Sequence, residues 1–191
     1  ALVASTDNEP LARWNHPLWW IERLRQDHPQ DWEQILRANN THAPMTLRVN
    51  KQKCTLAQYQ QALTAINFDF DVVGEAGVVL HQAVPVTTLP GFSQGWVSVQ
   101  DAAAQMAAPL LLQGLDLAQP LRVLDACAAP GGKTAHLLEL AGPDSPIEVT
   151  ALDIDSTRSA RIGETLQRLG LSAQVLVADA ARPQDWWQQH C

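Results

Sequence analysis

No run of residues in this chain approaches the ~20 consecutive apolar positions that a membrane helix needs, so no membrane partner is expected. The opening residues, ALVASTDNEPLARWNHP, have no basic start followed by an apolar core, which argues against a secretion signal. Residue 1 is Ala and not Met, and a longer parent chain is the expectation. Cysteine is scarce. Cys54, Cys127 and Cys191 are widely spaced and odd in number, so neither a disulfide framework nor a metal-ligand spacing is present, and no metal is expected. A reducing, cytoplasmic setting fits. Repeats and low-complexity tracts are missing as well. Basic charge is short: 13 Lys and Arg face 20 Asp and Glu, and none of the 13 lies between Cys54 and Leu121. That excludes a bulk surface built to coat nucleic acid. Basic residues gather instead at Arg23, Arg25, Arg37, Arg48, Lys51 and Lys53. A solvated face is the plain reading of them, and a local patch the sharper one.

What is present is an ordinary globular composition, long enough for one domain or for a small domain and part of a second. PLWWIERLRQDH reads as a helix opened by Pro17 at its first position, with Leu18, Ile21 and Leu24 on one face. A second short helix follows Asp31 and stops at Asn39-Asn40. MTLRVN alternates like a half-buried strand. TLAQYQQALTAI spaces Leu56, Tyr59, Leu63 and Ile66 as a helix capped by Thr55, and FDFDVV and GVVLHQ read as a strand pair. TTLPGFSQGWVSVQD reads as a linker and the first strand of a second domain. AAAQMAAPLLLQGLD is a helix that Pro109 kinks or divides. From Leu121 the rhythm becomes strand, loop, helix. RVLDA, IEVTALDID and QVLVADA alternate with KTAHLLELA and TRSARIGETLQRLG, and Gly142 and Gly170 stand where helix C-caps belong. Strands apolar along their whole length predict a parallel sheet with helices on both faces.

The fold class expected is therefore α/β. A helical lead-in (residues 1–44) and a small α+β domain (45–88) precede the N-terminal part of a Rossmann-like domain (89–191). DWWQQHC reads as a helix fragment, so the sheet is expected to stop early, truncated inside its domain. Of the paired tryptophans Trp19-Trp20 and Trp186-Trp187, one of each is expected in the core, ahead of base stacking.

The chemistry is concentrated in DACAAPGGKTAHLLEL, residues 125–140. A phosphate-binding P-loop needs glycine five residues before its Gly-Lys-Thr, and here that position is Cys127. Pro130 removes a further backbone donor. The dinucleotide pattern G-x-G-x-x-G is absent too. What survives is a tight glycine turn between a strand and a helix N-terminus, suited to a carboxylate. Asp153 ends the second strand about 20 residues later, the place of an acid that accepts from ribose hydroxyls. Asp125 and Asp179 end the first and third strands, which predicts one acidic crevice, while Asp155 reads as a helix cap. An adenosine with an amino-acid tail and a cationic sulfur fits such walls where a triphosphate would be repelled. That ligand is S-adenosyl-L-methionine.

LRVLDACAAPGGKT resembles the motif of the cytosine-5 RNA methyltransferases, the NOL1/NOP2/Sun family, and MTLRVN, LPGFSQGWVSVQDAAAQ, ALDID and RLG fall in family order. The resemblance covers nearly the whole chain. It implies that Cys127, Ala128, Ala129, Pro130, Gly131, Gly132 and Lys133 line the cofactor, that Asp153 binds its ribose and that Asp179 sits by the adenine. It also implies that residues around Gln100 and Asp101 help to close the pocket. The implied reaction is 5-methylation of a cytosine in 16S ribosomal RNA. A thiolate adds at carbon 6 in that reaction, because carbon 5 is a poor nucleophile. The family's reactive cysteines lie in Thr-Cys and Asp-Ala-Pro-Cys segments, and neither segment occurs here. Cys127 reads as part of the cofactor loop, and Cys191 matches neither motif. This chain by itself is expected to be inactive, and a module that binds cofactor or RNA without turnover is the alternative. Arg48, Lys51 and Lys53 become candidates for phosphate contact.

Overall fold

The computed structural model describes residues 9–187, and the chain divides into two compact units, Ala1–Ala43 and Pro44–Cys191. In the first unit, α1 (Pro10–Trp14), α2 (Leu18–Asp27) and α3 (Trp32–Asn39) bring Trp14, Ile21, Leu24 and Leu36 into a small core. Pro17 keeps an extended ψ of 143° and precedes α2, so the helix begins one residue later than the sequence suggests. The arginines here serve their own unit. Arg25 lies 4.2 Å from the centroid of the Trp32 ring, and Arg23 and Arg37 pair with Asp27 and Glu33 one turn away. Trp19 is exposed while Trp20 packs against the core.

The second unit holds two sheets. The first is antiparallel, ordered β2-β3-β1-β4, with β1 (Met45–Val49), β2 (Phe70–Val73), β3 (Gly77–Leu80) and β4 (Val97–Val99). Helix α4 (Leu56–Ala65) begins at a capping box. The Thr55 hydroxyl accepts from the Gln58 N–H, and the Gln58 side chain accepts from the Thr55 N–H. Tyr59 and Leu63 of α4 bury themselves against Leu47, Val49, Val78, Leu80 and Val97. Strand β4 corrects the sequence reading. It pairs with β1 in the register Arg48↔Ser98 and joins this sheet, although the sequence suggests that it opens the next one. Three residues carry little pattern of their own, and their partner lies about fifty positions upstream.

The second sheet is parallel, ordered β5-β6-β7, with β5 (Leu121–Asp125), β6 (Ile147–Asp153) and β7 (Gln174–Val177). Helix α5 (Ala107–Leu112) follows a 3₁₀ turn at Ala104–Met106, so the Ala/Leu-rich run is divided, and Pro109 sits in the first turn of α5 where it is tolerated. Helices α6 (Gly132–Ala141) and α7 (Ser156–Leu169) connect the strands. Gly170 ends α7 in the left-handed region. Leu112, Leu137, Ile162 and Leu166 pack with Val123, Val149, Ala151 and Val175, which share one face of the sheet. On the other face Arg122, Leu124, Glu148, Thr150 and Gln174 line an open hollow of about 530 Å³ beside Trp187. The expectation of helices on both faces is thus corrected for the described residues: α5, α6 and α7 all lie on one. Trp186 is buried and Trp187 exposed. The rest of the expected terminal helix fragment, with Cys191, lies outside the described residues. No helix among them is long and apolar enough to cross a membrane.

Polar contacts tie the sheets together at several points. The Arg168 guanidinium on α7 donates to the carbonyls of Phe92 and Val97 and to the Ser98 hydroxyl, and it stacks 4.1 Å from the Phe92 ring centroid. Gln52 donates to the carbonyls of Leu138 and Glu139 in α6.

Candidate functional site

The turn that leaves β5 is braced by its own polar groups. Asp125, at the strand end, accepts from the Thr134 hydroxyl at 2.7 Å and from the Cys127 N–H at 3.4 Å. The Ala128 N–H donates to the Leu152 carbonyl in β6, the Ala129 N–H to Asp153 Oδ2 at 3.1 Å, and the Gly131 N–H to the Ala128 carbonyl. Thr165 of α7 donates to the Pro130 carbonyl. Four backbone donors of the turn are thereby spent inside the protein. A phosphate cradle needs such donors aimed outward, so the structure agrees with the sequence in rejecting a P-loop.

Gly131 and Gly132 do different work. Gly131 holds φ +96°, and a Cβ there would stand 3.2 Å from the Ile162 Cα, so close packing on α7 requires glycine. Gly132 has no such constraint. A Cβ there would meet only the Gln100 Nε2, at 3.8 Å. Open ground therefore lies above its α-carbon. Ala135 is the first residue of the turn of helix to find an acceptor, the Gly131 carbonyl, and the N–H groups of Gly132, Lys133 and Thr134 precede it. A ligand carboxylate suits that place. Cys127, Pro130 and Lys133 are exposed, Ala129 is half-buried and Ala128 is buried.

Asp153 ends β6 and is 2% exposed. Its Oδ1 accepts from the Asp155 N–H at 3.2 Å and its Oδ2 from Ala129, while Arg158 stands 3.5 Å away. The Asp155 N–H foremost, then those of Ala129 and Ile154 with the Arg158 charge, hold the carboxyl below the usual carboxylate range, against the effect of burial. Asp179 follows β7, and the ladder continues into it, since the Ala178 N–H donates to the Asp153 carbonyl. Its Oδ1 accepts from Ala181, and its carbonyl from the Trp186 indole. Asp153 and Asp179 are thus neighbours at adjacent strand ends, and Ala129 is bonded to the first. Asp125, half-buried at the end of β5, braces the turn through Thr134 and Cys127 much as Asp153 braces Ala129 and Asp155. Asp155 caps α7 by accepting from the Arg158 N–H at 2.8 Å.

Arg48 corrects a second expectation. It is 1% exposed and pairs with Glu139, so it is not available to a phosphate. Lys51 pairs with Glu75 on the surface. Two residues that the sequence reading passed over also belong here. Thr134 ties the start of α6 to the strand end, and Arg158 reaches both the Ala129 carbonyl and Asp153. A cation in the first turn of a helix, against the dipole, is the signal that would have singled out Arg158. Of the cysteines, Cys54 is buried, which pushes its thiol up, and Cys127 faces solvent within the turn.

Two family models match the chain. One, described as a Methyltr_RsmF/B-like, ferredoxin-like domain, covers residues 16–87, and the other, 16S rRNA methyltransferase RsmB/F, covers 112–191. The ribosomal RNA small subunit methyltransferase B of Vibrio cholerae is 47% identical over 98% of this chain and 42% of its own length. Its namesake in Pseudomonas syringae is 43% identical over 98% of this chain and 41% of its own. The chain therefore spans less than half the length of these relatives. A methyltransferase homolog protein from Pyrococcus horikoshii, solved by crystallography, matches 92% of this chain and 57% of its own, with a TM-score of 0.74 and 26% identity. NSun6 from Pyrococcus horikoshii reaches the same TM-score over 90% of this chain and 67% of its own at 13% identity, a likeness of fold alone.

Proposed function

Because the chain belongs to the RsmB/F family of 16S rRNA methyltransferases, we propose that it forms the S-adenosyl-L-methionine-binding part of an enzyme that methylates carbon 5 of a cytosine in 16S ribosomal RNA. The observation that carries this reading is the junction of turn and sheet. Ala129 is bonded to Asp153, and beside them the α-carbon of Gly132 faces open ground next to the first-turn N–H groups of α6. The residues fit the cofactor. Cys127, Ala128, Ala129, Pro130, Gly131, Gly132 and Lys133 follow its amino-acid end, mostly through backbone. Asp153 accepts from the ribose hydroxyls with its remaining lone pairs, and Asp179 lies by the adenine. Arg158, half-exposed, is the side chain that a ribose displaces from Asp153. When bound, the cofactor supplies an electrophilic methyl group on a cationic sulfur. This part of the protein holds it, orients it and keeps acidic walls beside its charge.

The ferredoxin-like sheet is the proposed RNA side. The nucleophile for carbon 6 is not assigned within the described residues: Cys54 is buried with a raised thiol, and Cys127 belongs to the turn. Calorimetry with S-adenosyl-L-methionine and with ATP tests the site. Binding of the first alone is expected, and binding of ATP alone would overturn the methyltransferase assignment of this turn. A module that holds cofactor without turnover gives the same calorimetry. Methyl transfer to a 16S RNA fragment by the parent enzyme, lost on substitution in the turn, separates the two.

A further inference from the structure

Arg48 is a buried charge that the proposed site does not use. It stands in β1, yet its partners come from elsewhere: Glu139 in α6, Gln100 after β4, and the carbonyl of Gly132 at the start of α6. The pair with Glu139 is two-pronged, Nε to Oε2 at 3.0 Å and Nη2 to Oε1 at 2.9 Å. Burying two such charges costs desolvation, and an apolar pair of similar volume often serves stability as well or better. An apolar pair cannot supply direction. A guanidinium has donors and no acceptor, so whatever faces it must accept.

That constraint fixes Gln100. Arg48 Nη1 donates to Gln100 Oε1 and, at 3.0 Å, to the Gly132 carbonyl. The Gln100 amide must therefore turn its oxygen toward Arg48 and its NH₂ away from it. Gln100 Nε2 is the side-chain atom nearest the open ground over Gly132. Two N–H donors on a side chain that is 8% exposed thus face the place where the first turn of α6 offers its own.

We propose that Arg48 is a positioning residue for the cofactor turn: it fixes the Gly132 carbonyl and orients Gln100, whose amide donates to the carboxylate of the bound ligand. The inference rests on the cofactor site proposed above. It also joins the small sheet to that site, because the strand that carries Arg48 is central to the ferredoxin-like domain.

Two ligands that differ only in the amino-acid end provide the test. S-adenosylhomocysteine carries the carboxylate, and methylthioadenosine has the same adenosine and thioether without it. Gln100→Glu replaces the donors with a negative charge while keeping the bond to Arg48. It is expected to weaken S-adenosylhomocysteine by about tenfold or more and to leave methylthioadenosine within about twofold, read by calorimetry on the full chain. Gln100→Met, of similar length but without donors, is expected to show the same selectivity with a smaller loss. Arg48→Met combined with Glu139→Leu frees the amide without stranding a buried charge, and a selective loss is expected there too, with the melting temperature checked in parallel. Equal losses for both ligands would make Arg48 and Gln100 purely structural, and no loss for either would also overturn the inference. A wild-type chain that prefers neither ligand removes the carboxylate contact but leaves the adenosine site standing. One that binds neither removes the site and the inference together.

Discussion

The two sheets of the second unit are made of similarly apolar strands and bury them very differently. Four of the five residues of β1 are buried and the fifth is half-buried, whereas β5 alternates half-buried and exposed along its length. The difference lies in what meets each face. Strand β1 has neighbours on both edges, and it presents Leu47 and Val49 to the core shared with α4. Its other face carries Thr46 and Arg48, both buried, and Arg48 reaches the Gly132 carbonyl at the start of α6. Strand β5 puts Val123 under the helices and leaves Arg122 and Leu124 at the open hollow. An apolar strand announces that it has something to bury. Which faces are covered depends on elements far away in sequence, and in β1 the covering of the polar face is achieved by a charge pair.

Breaking that pair is expected to have the largest effect. Arg48→Ala leaves Glu139 buried and alone, at a cost of about 3–5 kcal/mol in urea unfolding, while Arg48→Met with Glu139→Leu is expected to recover most of it. A cost below about 1 kcal/mol for the single variant would mean that the closed face of β1 does not depend on this pair. The apolar faces give the next contrast. Leu47, fully buried, is expected to cost about 2–5 kcal/mol as Leu47→Ala. Leu124→Ala, at a side chain 38% exposed on the open face, is expected to cost at most about 1 kcal/mol. Equal costs would show that the hollow is filled in solution. At the carboxyl ends of the parallel strands, Asp153→Ala is expected to weaken S-adenosyl-L-methionine roughly tenfold or more in calorimetry. Unchanged affinity would reduce Asp153 to a brace for Ala129 and Asp155.

Much of this was readable in the sequence, and most of the exceptions share one cause. Thr55 with Gln58, the helix stops at Gly142 and Gly170, and the run from RVLDA to QVLVADA are local patterns, and each element stands where its pattern puts it. The strand, glycine turn and helix that carry the proposed cofactor site were legible for the same reason, because a glycine pair between an apolar run and a helix start is a local pattern. Two errors concern pairings over distance. Val97–Val99 is too short to show which sheet it joins, and its partner was chosen by hydrogen bonding with β1. Arg48 sits in a cluster of basic residues that reads as a surface patch, and its neutralising Glu139 lies 91 positions away. The open face was missed for a local reason. Arg122, Glu148, Thr150 and Gln174 alternate with apolar residues along the parallel strands. That alternation marks a sheet covered on one side among the described residues, and the sequence reading treats it as a continuous apolar run.

The seam between the two sheets also sets a pH dependence, which is the smallest effect expected. His136 lies in α6, is 6% exposed, and has no partner for its Nδ1 among the described residues. Burial, then the charges of Arg48 and Lys51 from the small sheet's side, push its pKa down from 6.5 to about 3. Above pH 6.5 the imidazole is neutral in both the folded and the unfolded chain, and it contributes no pH dependence. Below that pH the unfolded chain takes up a proton that the folded chain refuses, so stability falls as pH falls, until the folded pKa near 3 is reached. By about pH 5.5 the loss should be about 1.4 kcal/mol. Urea unfolding of the wild type and of His136→Leu at about pH 7.5 and 5.5 isolates it, since every other titrating group is common to both chains. The wild type is expected to lose more than the variant by that amount. Equal losses would mean that His136 takes up its proton in the folded chain as readily as in the unfolded one, against the charges of Arg48 and Lys51.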